Sequence, residues 1–283
     1  MLLKDLQSAG ATALSALYPL PEARNMVNVL CRELFGTEPY TAVIDPLYDI
    51  PDTSAFDAAL KRLSSAEPLQ YVLGKCEFYG RTFKVTPDVL IPRPETEELC
   101  REAMSMAAGL SGGGVRILDL CTGSGCIAWT MAMEVPGAEI VATDVSPSAL
   151  AVASSQDFPC PSPRFVLSDL LSGQIPDGGP FDLLLSNPPY VMESEKALMR
   201  PNVLDWEPSL ALFVPDGDPL LFYRAIAGLA ATVLSPEGEG IVEINEDLGR
   251  ETAALFEKAG FSGVTLRQDL SGKDRFVIFR KGS

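Results

Sequence analysis

From residue 115 to its end the chain alternates short apolar runs with longer amphipathic ones, and few architectures satisfy that pattern. Runs near 115–119, 139–143, 164–167, 181–186, 240–244, 263–268 and 275–279 are rich in Val, Ile, Leu and Phe and too short for helices. Between them the periodicity predicts helices near 125–134, 147–155, 220–234 and 248–259. Alternation of this kind predicts an α/β fold with a parallel, doubly wound sheet. The last two runs, Val264 to Gln268 and Phe276 to Phe279, are expected to pair as a hairpin.

The part before residue 74 has a different period. Leu2, Leu3, Leu6, Ala9, Ala13, Leu14 and Leu17 repeat at three and four, as do Ala23, Met26, Val27, Leu30 and Leu34, with Gly36 placed to cap the second stretch. Asp52, Thr53 and Ser54 offer N-caps to a third helix carrying Phe56, Ala59, Leu60 and Leu63. A small helical domain over 1–73 is expected. A hairpin linker over 74–90 follows, turning at Gly80-Arg81, and then a third region over 91–283. Arg93, between Pro92 and Pro94, opens a helix whose first turn is acidic. Gly112-Gly113-Gly114 reads as a flexible break before the first strand of the sheet.

Charge and composition exclude several functions. With 22 basic against 38 acidic residues the net charge is −16, which repels phosphate backbones. No direct nucleic-acid partner is expected. The chain contains no histidine, which removes imidazole as a general base and every Ser-His or Cys-His nucleophile. The six cysteines form no C-x-x-C pair, so free thiols and no metal site are expected. An acid at position 5 and the lack of a long apolar run argue against a signal peptide or a membrane span, which makes the cytoplasm the expected location.

Chemistry is concentrated at the expected carboxyl ends of strands, where ligands of open α/β sheets bind. Behind the first strand comes Asp119-Leu120-Cys121-Thr122-Gly123-Ser124-Gly125-Cys126-Ile127-Ala128, a glycine turn opening a helix. Asp144 ends the second strand, placed to bond a ribose hydroxyl. Asp169 ends the third, placed to accept from an adenine amino group with Leu170 against the ring. Gly123, Gly125 and Ala128 with Asp144 also fit a dinucleotide fingerprint, so a nicotinamide-dependent dehydrogenase is an alternative. Asp119, just before the turn, would repel a pyrophosphate but suits a ligand with a charged amino-acid end. The fourth strand ends in Ser186-Asn187-Pro188-Pro189-Tyr190. The prolines supply carbonyls without N–H groups, Asn187 a side-chain carbonyl and Tyr190 an aromatic face. Such a set suits a planar NH2 group whose nitrogen must face an electrophile.

Together these features resemble the class I S-adenosylmethionine-dependent methyltransferases, and one family closely: the release-factor glutamine N5-methyltransferases of HemK type. The resemblance runs through Pro68 to Gly74, Phe78 to Gly80, Ile91-Pro92-Arg93-Pro94-Glu95-Thr96-Glu97, Asp119 to Ala128, Asn187 to Tyr190 and Trp206 to Leu212. It implies a Rossmann-like, seven-stranded methyltransferase domain joined by the β-hairpin to a helical substrate-docking domain. It implies S-adenosylmethionine as cofactor, held by Asp119, Cys121, Thr122, Gly123, Ser124, Gly125, Asp144, Asp169, Leu170 and Asn187. The expected reaction is methyl transfer to the glutamine side-chain amide of the Gly-Gly-Gln motif in peptide chain release factors, with Asn187, Pro188, Pro189 and Tyr190 as the catalytic clamp. Cys121 stands where the family has glycine, and Asn245 and Leu248 where it has glycine and glutamine. Amino-methylating DNA enzymes share the N-P-P-Y motif, so an adenine-N6 or cytosine-N4 DNA methyltransferase is a further alternative.

Overall fold

A computed structural model describes residues 1–110 and 114–282, so Gly112 and Gly113 of the expected break lie outside the described residues. The chain divides into two compact units, Met1–Lys75 with Arg200–Trp206, and Cys76–Met199 with Glu207 onward.

The first unit is helical: α1 (Leu3–Leu14), α2 (Leu20–Phe35), α3 (Thr41–Ile44), α4 (Ser54–Leu63) and α5 (Leu69–Leu73). Much of the apolar pattern read from the sequence forms its core, with Leu3, Leu14, Val27, Leu30, Phe56 and Leu63 sealed from solvent, but Ala9, Ala13, Leu17 and Leu34 are exposed and Gly10, Ala11 and Cys31 face inward instead. Gly36 caps α2 at φ 67°, a left-handed conformation that costs glycine little. The segment Arg200–Trp206 belongs to this unit although it lies far along the chain. Arg200 pairs with Glu22, and the Trp206 indole N–H donates to the Ser65 carbonyl. No local pattern could announce an association of that range.

The second unit runs β1 (Lys75–Phe78), β2 (Arg81–Lys84), α6 (Pro94–Gly109), β3 (Arg116–Leu120), α7 (Cys126–Glu134), β4 (Glu139–Asp144), α8 (Pro147–Ser154), β5 (Arg164–Leu167), β6 (Phe181–Ser186), β7 (Val191–Met192), β8 (Phe213–Val214), α9 (Leu221–Val233), β9 (Leu234–Glu243), α10 (Gly249–Lys258), β10 (Phe261–Gln268) and β11 (Asp274–Lys281), Lys75 alone falling in the first. The β1–β2 hairpin turns at Tyr79-Gly80, one residue before the expected Gly80-Arg81. Both turn residues have positive φ, 49° and 68°, as a two-residue hairpin loop requires, and Glu97 accepts the Tyr79 N–H at 2.9 Å.

Seven strands form one sheet in the order β10-β11-β9-β6-β3-β4-β5. Five are parallel. The hairpin partner β11 runs antiparallel and inserts between β10 and β9, with Thr265, Leu266 and Arg267 opposite Ile278, Val277 and Phe276. Side chains alternate between faces, so Leu183 and Leu185 join a core under α6 and α7, while Leu184 joins another under α9 and α10. From β3 the chain winds outward through β4 and β5, then returns to lay β6 on the other side of β3. That reversal makes a topological switch point, and the crevice beyond the carboxyl ends of β3 and β6 is where such a sheet binds its ligand. Among the described residues no helix is long and apolar enough to cross a membrane.

Candidate active site

A cleft with about 1030 Å³ of space, open to solvent, lies beyond those strand ends. Its lining includes Cys121, Thr122, Gly123, Ser124, Asp144, Asp169, Leu170, Asn187 and Pro189 from the sequence-predicted set. Asp119, Gly125, Pro188 and Tyr190 are not among the lining residues.

The glycine turn is a wound loop with three positive φ values in five residues, Cys121 at 59°, Gly123 at 53° and Gly125 at 79°. Cys121 adopts the left-handed conformation without the freedom glycine would give, a strain of order 1 kcal/mol. Gly125 must be glycine for a second reason: a Cβ there would come within 3.0 Å of the Trp129 ring and 3.1 Å of the Ala153 methyl. Several of the turn's N–H groups are used internally. Thr122 N–H goes to the Thr143 carbonyl, Gly123 N–H to Asp144 Oδ2 and Gly125 N–H to the Thr122 carbonyl, all at 2.9 Å. The open donor cradle expected for this turn is therefore partly closed by the protein itself.

Asp119 is fully buried beneath the turn and accepts the Thr122 hydroxyl at 2.6 Å. Burial pushes its carboxyl up to about 7 against the pull of that hydrogen bond. Asp144 reaches the cleft from the end of β4, with Oδ2 taking the Gly123 N–H and Oδ1 the Ser146 N–H. Burial raises its pKa, the Ser146 and Gly123 hydrogen bonds opposing the shift. Asp169 accepts the Leu171 N–H and so caps the short turn Leu170–Ser172, which sets Leu170 against the cleft. Asp169 Oδ2 is left out of that cap.

The Asn187 side chain is held by a chain of hydrogen bonds. Its Nδ2 donates to Thr96 Oγ1 at 3.1 Å, and the Thr96 hydroxyl donates to Glu243 Oε2 at 2.8 Å. The Tyr190 hydroxyl donates to Glu243 Oε1 at 2.9 Å, and the Tyr223 hydroxyl to the Glu243 backbone carbonyl at 3.1 Å. Tyr190 is thus an anchor facing inward instead of a ring lining the cleft. Burial and the neighbouring Glu243 hold its hydroxyl well above the usual tyrosine range, so it remains a donor. Asn245 closes the same assembly from the next loop, donating from Nδ2 to the Tyr190 carbonyl and to Glu195 while accepting the Asp247 N–H. That is the work of a residue whose role the sequence left open. Thr96, Glu243 and Asn245 were absent from the predicted site. A signal was present at Glu243, a lone acid inside Ile241-Val242-Glu243-Ile244, because a charge in a buried strand requires partners.

Arg93 also lines the cleft, and its charge is already matched. It donates to Glu207 Oε1 at 2.6 Å, and the second oxygen of this buried carboxylate takes the Ile91 N–H. The cleft therefore contains three carboxylates, Asp88, Asp144 and Asp169, and a single neutralised cation. A dinucleotide pyrophosphate would find no uncompensated positive charge here. A nucleoside carrying a sulfonium and an ammonium group suits the same lining, with Leu170, Val145 and Ala149 as apolar walls and Asp144 and Asp169 as acceptors.

Residues 104–202 match the model of the methyltransferase small domain family. A release factor glutamine methyltransferase of Bacteroides thetaiotaomicron is 38% identical over 268 residues, 94% of this chain and 95% of that protein. One of Cereibacter sphaeroides is 43% identical over 240 residues, 83% of this chain and 82% of its own length. The chain belongs to the release factor glutamine methyltransferase family. The crystal structure of a release-factor-specific protein-(glutamine-N5) methyltransferase from Alicyclobacillus acidocaldarius is 30% identical, covering 71% of this chain and 100% of that one with a TM-score of 0.44. Family membership makes this chain an enzyme whose cofactor is S-adenosylmethionine, and the dehydrogenase alternative falls. Cys121 takes a left-handed backbone conformation in the turn, and Asn245 is hydrogen-bonded behind the N-P-P-Y loop.

Proposed function

We propose that the enzyme methylates the side-chain amide nitrogen, N5, of the glutamine in the Gly-Gly-Gln motif of peptide chain release factors, in the cytoplasm where translation ends. The observation that carries this reading is the orientation of Asn187. Its Nδ2 is committed to Thr96, which leaves Oδ1, the acceptor, for a ligand in the cleft. An acceptor at that place takes one N–H of a carboxamide, and the partial negative charge of Oδ1 stabilises the positive charge that grows on the nitrogen. A carbonyl from Pro188 takes the other. S-adenosylmethionine, when bound, supplies an electrophilic methyl group on a sulfonium sulfur. Asp144 and Asp169 would hold its ribose and adenine, with Leu170 against the base. No general base is required, because the nitrogen becomes acidic on methylation and loses its spare proton to water.

A protein acceptor is favoured over DNA by the net charge of −16 and by apolar side chains left exposed on the helical unit, Tyr40, Val43, Ile44 and Leu47. Mass spectrometry decides the matter. A purified release factor incubated with enzyme and S-adenosylmethionine should gain one methyl group, located by fragmentation on the Gly-Gly-Gln glutamine. A release factor with that glutamine changed to alanine should gain none. Methylation of duplex DNA, or of another release-factor residue, would overturn the proposal.

A further inference from the structure

Asn187 can assist a carboxamide only in one of two nearly isosteric orientations. With Oδ1 toward the substrate it accepts an N–H; flipped, it presents Nδ2 and meets the substrate NH2 donor to donor. The choice is made two residues away. Glu243 is 1% exposed and sits at the end of β9, while Thr96 is 2% exposed and sits in the first turn of α6. An ionised carboxylate only accepts, so the hydroxyls of Thr96 and Tyr190 both point their protons at Glu243. Thr96 has one proton. Once it is given to Glu243, Oγ1 can only accept, and the atom of Asn187 that touches it must be Nδ2.

We propose that Thr96 and Glu243 are positioning residues that act through Asn187: the carboxylate fixes the direction of the Thr96 hydroxyl, and the hydroxyl fixes which face of the carboxamide meets the substrate. The polarity runs one way along the chain Asn187 → Thr96 → Glu243. Tyr190 takes the second carboxylate oxygen and Tyr223 pins the Glu243 backbone, so the acceptor end cannot rotate away. Burial drives the Glu243 carboxyl upward, and the hydrogen bonds from Thr96 and Tyr190, with the charge of Arg275, pull it back toward the ionised form. The network joins residues 147 positions apart, Thr96 at the cleft lining and Glu243 behind it. It also gives a chemical reason for a threonine inside Ile91-Pro92-Arg93-Pro94-Glu95-Thr96-Glu97.

The inference rests on the amide-methylating reading above, and its test separates the two. Wild-type turnover on a release factor examines that reading. The relay is examined by Thr96→Val, Thr96→Ser, Asn187→Ala and the Thr96→Val/Asn187→Ala double variant. Each is first compared with wild type for thermal midpoint and for S-adenosylmethionine affinity by calorimetry. Asn187→Ala should lower kcat about 10²- to 10³-fold, the scale of losing one aligned transition-state partner. Thr96→Val should lower kcat about 10- to 100-fold with cofactor affinity little changed, and Thr96→Ser, which keeps the hydroxyl, should restore most of it. The double variant should be no slower than Asn187→Ala, since two links of one chain are not lost twice. A readout free of turnover is the Asn187 side-chain NH2 resonance in the ligand-free protein, which should exchange slowly in wild type and Thr96→Ser and rapidly in Thr96→Val. Unchanged kcat in Thr96→Val, multiplicative losses in the double variant, or a Thr96→Ser as impaired as Thr96→Val would each overturn the relay. Should Thr96→Val fail to fold, Glu243→Gln replaces it: loss of NH2 protection at Asn187 supports the relay, and retained protection overturns it.

Discussion

Replacing Asp119 by asparagine tests whether a carboxyl under the glycine turn is as strained by burial as its surroundings imply. Asp119 has no solvent exposure, and its pKa stands at about 7 because burial outweighs the Thr122 hydrogen bond. In the unfolded chain an aspartate titrates near 3.9. The folded state therefore binds this proton more tightly, and the sign follows. Below pH 4 both states are protonated and the residue imposes no ionisation penalty. As pH rises the unfolded state releases the proton first, and stability is lost until the folded group also ionises, near pH 7. At about 1.36 kcal/mol per pH unit the full penalty is ~4 kcal/mol, of which ~3 kcal/mol accrues between pH 5 and pH 8. Asparagine carries no such charge. Its NH2 group must find a new partner, which costs a roughly constant ~1–3 kcal/mol at every pH. The diagnostic quantity is therefore the slope. The stability of Asp119→Asn relative to wild type should improve by ~3 kcal/mol from pH 5 to pH 8. Urea unfolding measures it, with Trp206→Phe as common background so that buried Trp129 alone reports on the second unit. A difference that stays constant within about 1 kcal/mol across that range would mean that Asp119 titrates as an ordinary carboxylate, and the burial argument would fail.

Two further substitutions probe the cofactor side and the sheet. Asp144→Ala removes the acceptor of the Gly123 N–H as well as a cleft carboxylate, so S-adenosylmethionine affinity should fall about 10-fold or more while kcat at saturation changes less; calorimetry showing wild-type affinity would refute the assignment. Gly240→Ala should destabilise the second unit by about 1–3 kcal/mol, because the new Cβ would lie 2.2–2.9 Å from atoms of the Phe279 ring, itself stacked on Phe256; an unchanged urea midpoint would show that the ring can move aside.

What the sequence disclosed and what it hid follow from the range of the interactions involved. Strands such as Phe181–Ser186 were legible as short apolar runs, and helices such as Ser54–Leu63 by the three-and-four spacing of Phe56, Ala59 and Leu63. The terminal hairpin was legible down to its facing segments. Its place in the sheet was not, since nothing local to β11 says that it inserts between β9 and β10. β9 begins at Leu234, earlier than the expected 240, because Ser235-Pro236-Glu237-Gly238 forms an irregular entry whose register against β6 shifts between Leu234 and Glu239. Proline, charge and glycine there conceal a strand from any apolar pattern. In the site, glycines and acids at strand ends advertised themselves. Thr96 did not, because on its own helix it reads as one more polar residue in a first turn, and only β9 reveals what it bonds.

Both acids missing from the cleft surface, Asp119 and Glu243, lie directly behind it, and the physical logic of the two is shared. A buried carboxylate is costly to keep and is retained where its fixed polarity orders something else. Asp119 orders the turn through Thr122, and Glu243 orders the clamp through Thr96 and Tyr190. Each threonine hydroxyl converts a charge into a direction. One directs the loop that meets the donor, and the other the amide that meets the acceptor. A reaction whose nucleophile is a nearly neutral carboxamide gains little from stronger acids or bases at the surface, and the two carboxylates one layer down act on orientation instead. That division accounts for an amide-methylating site without histidine, and it predicts that a loss in the layer behind the lining lowers kcat while S-adenosylmethionine affinity is little changed.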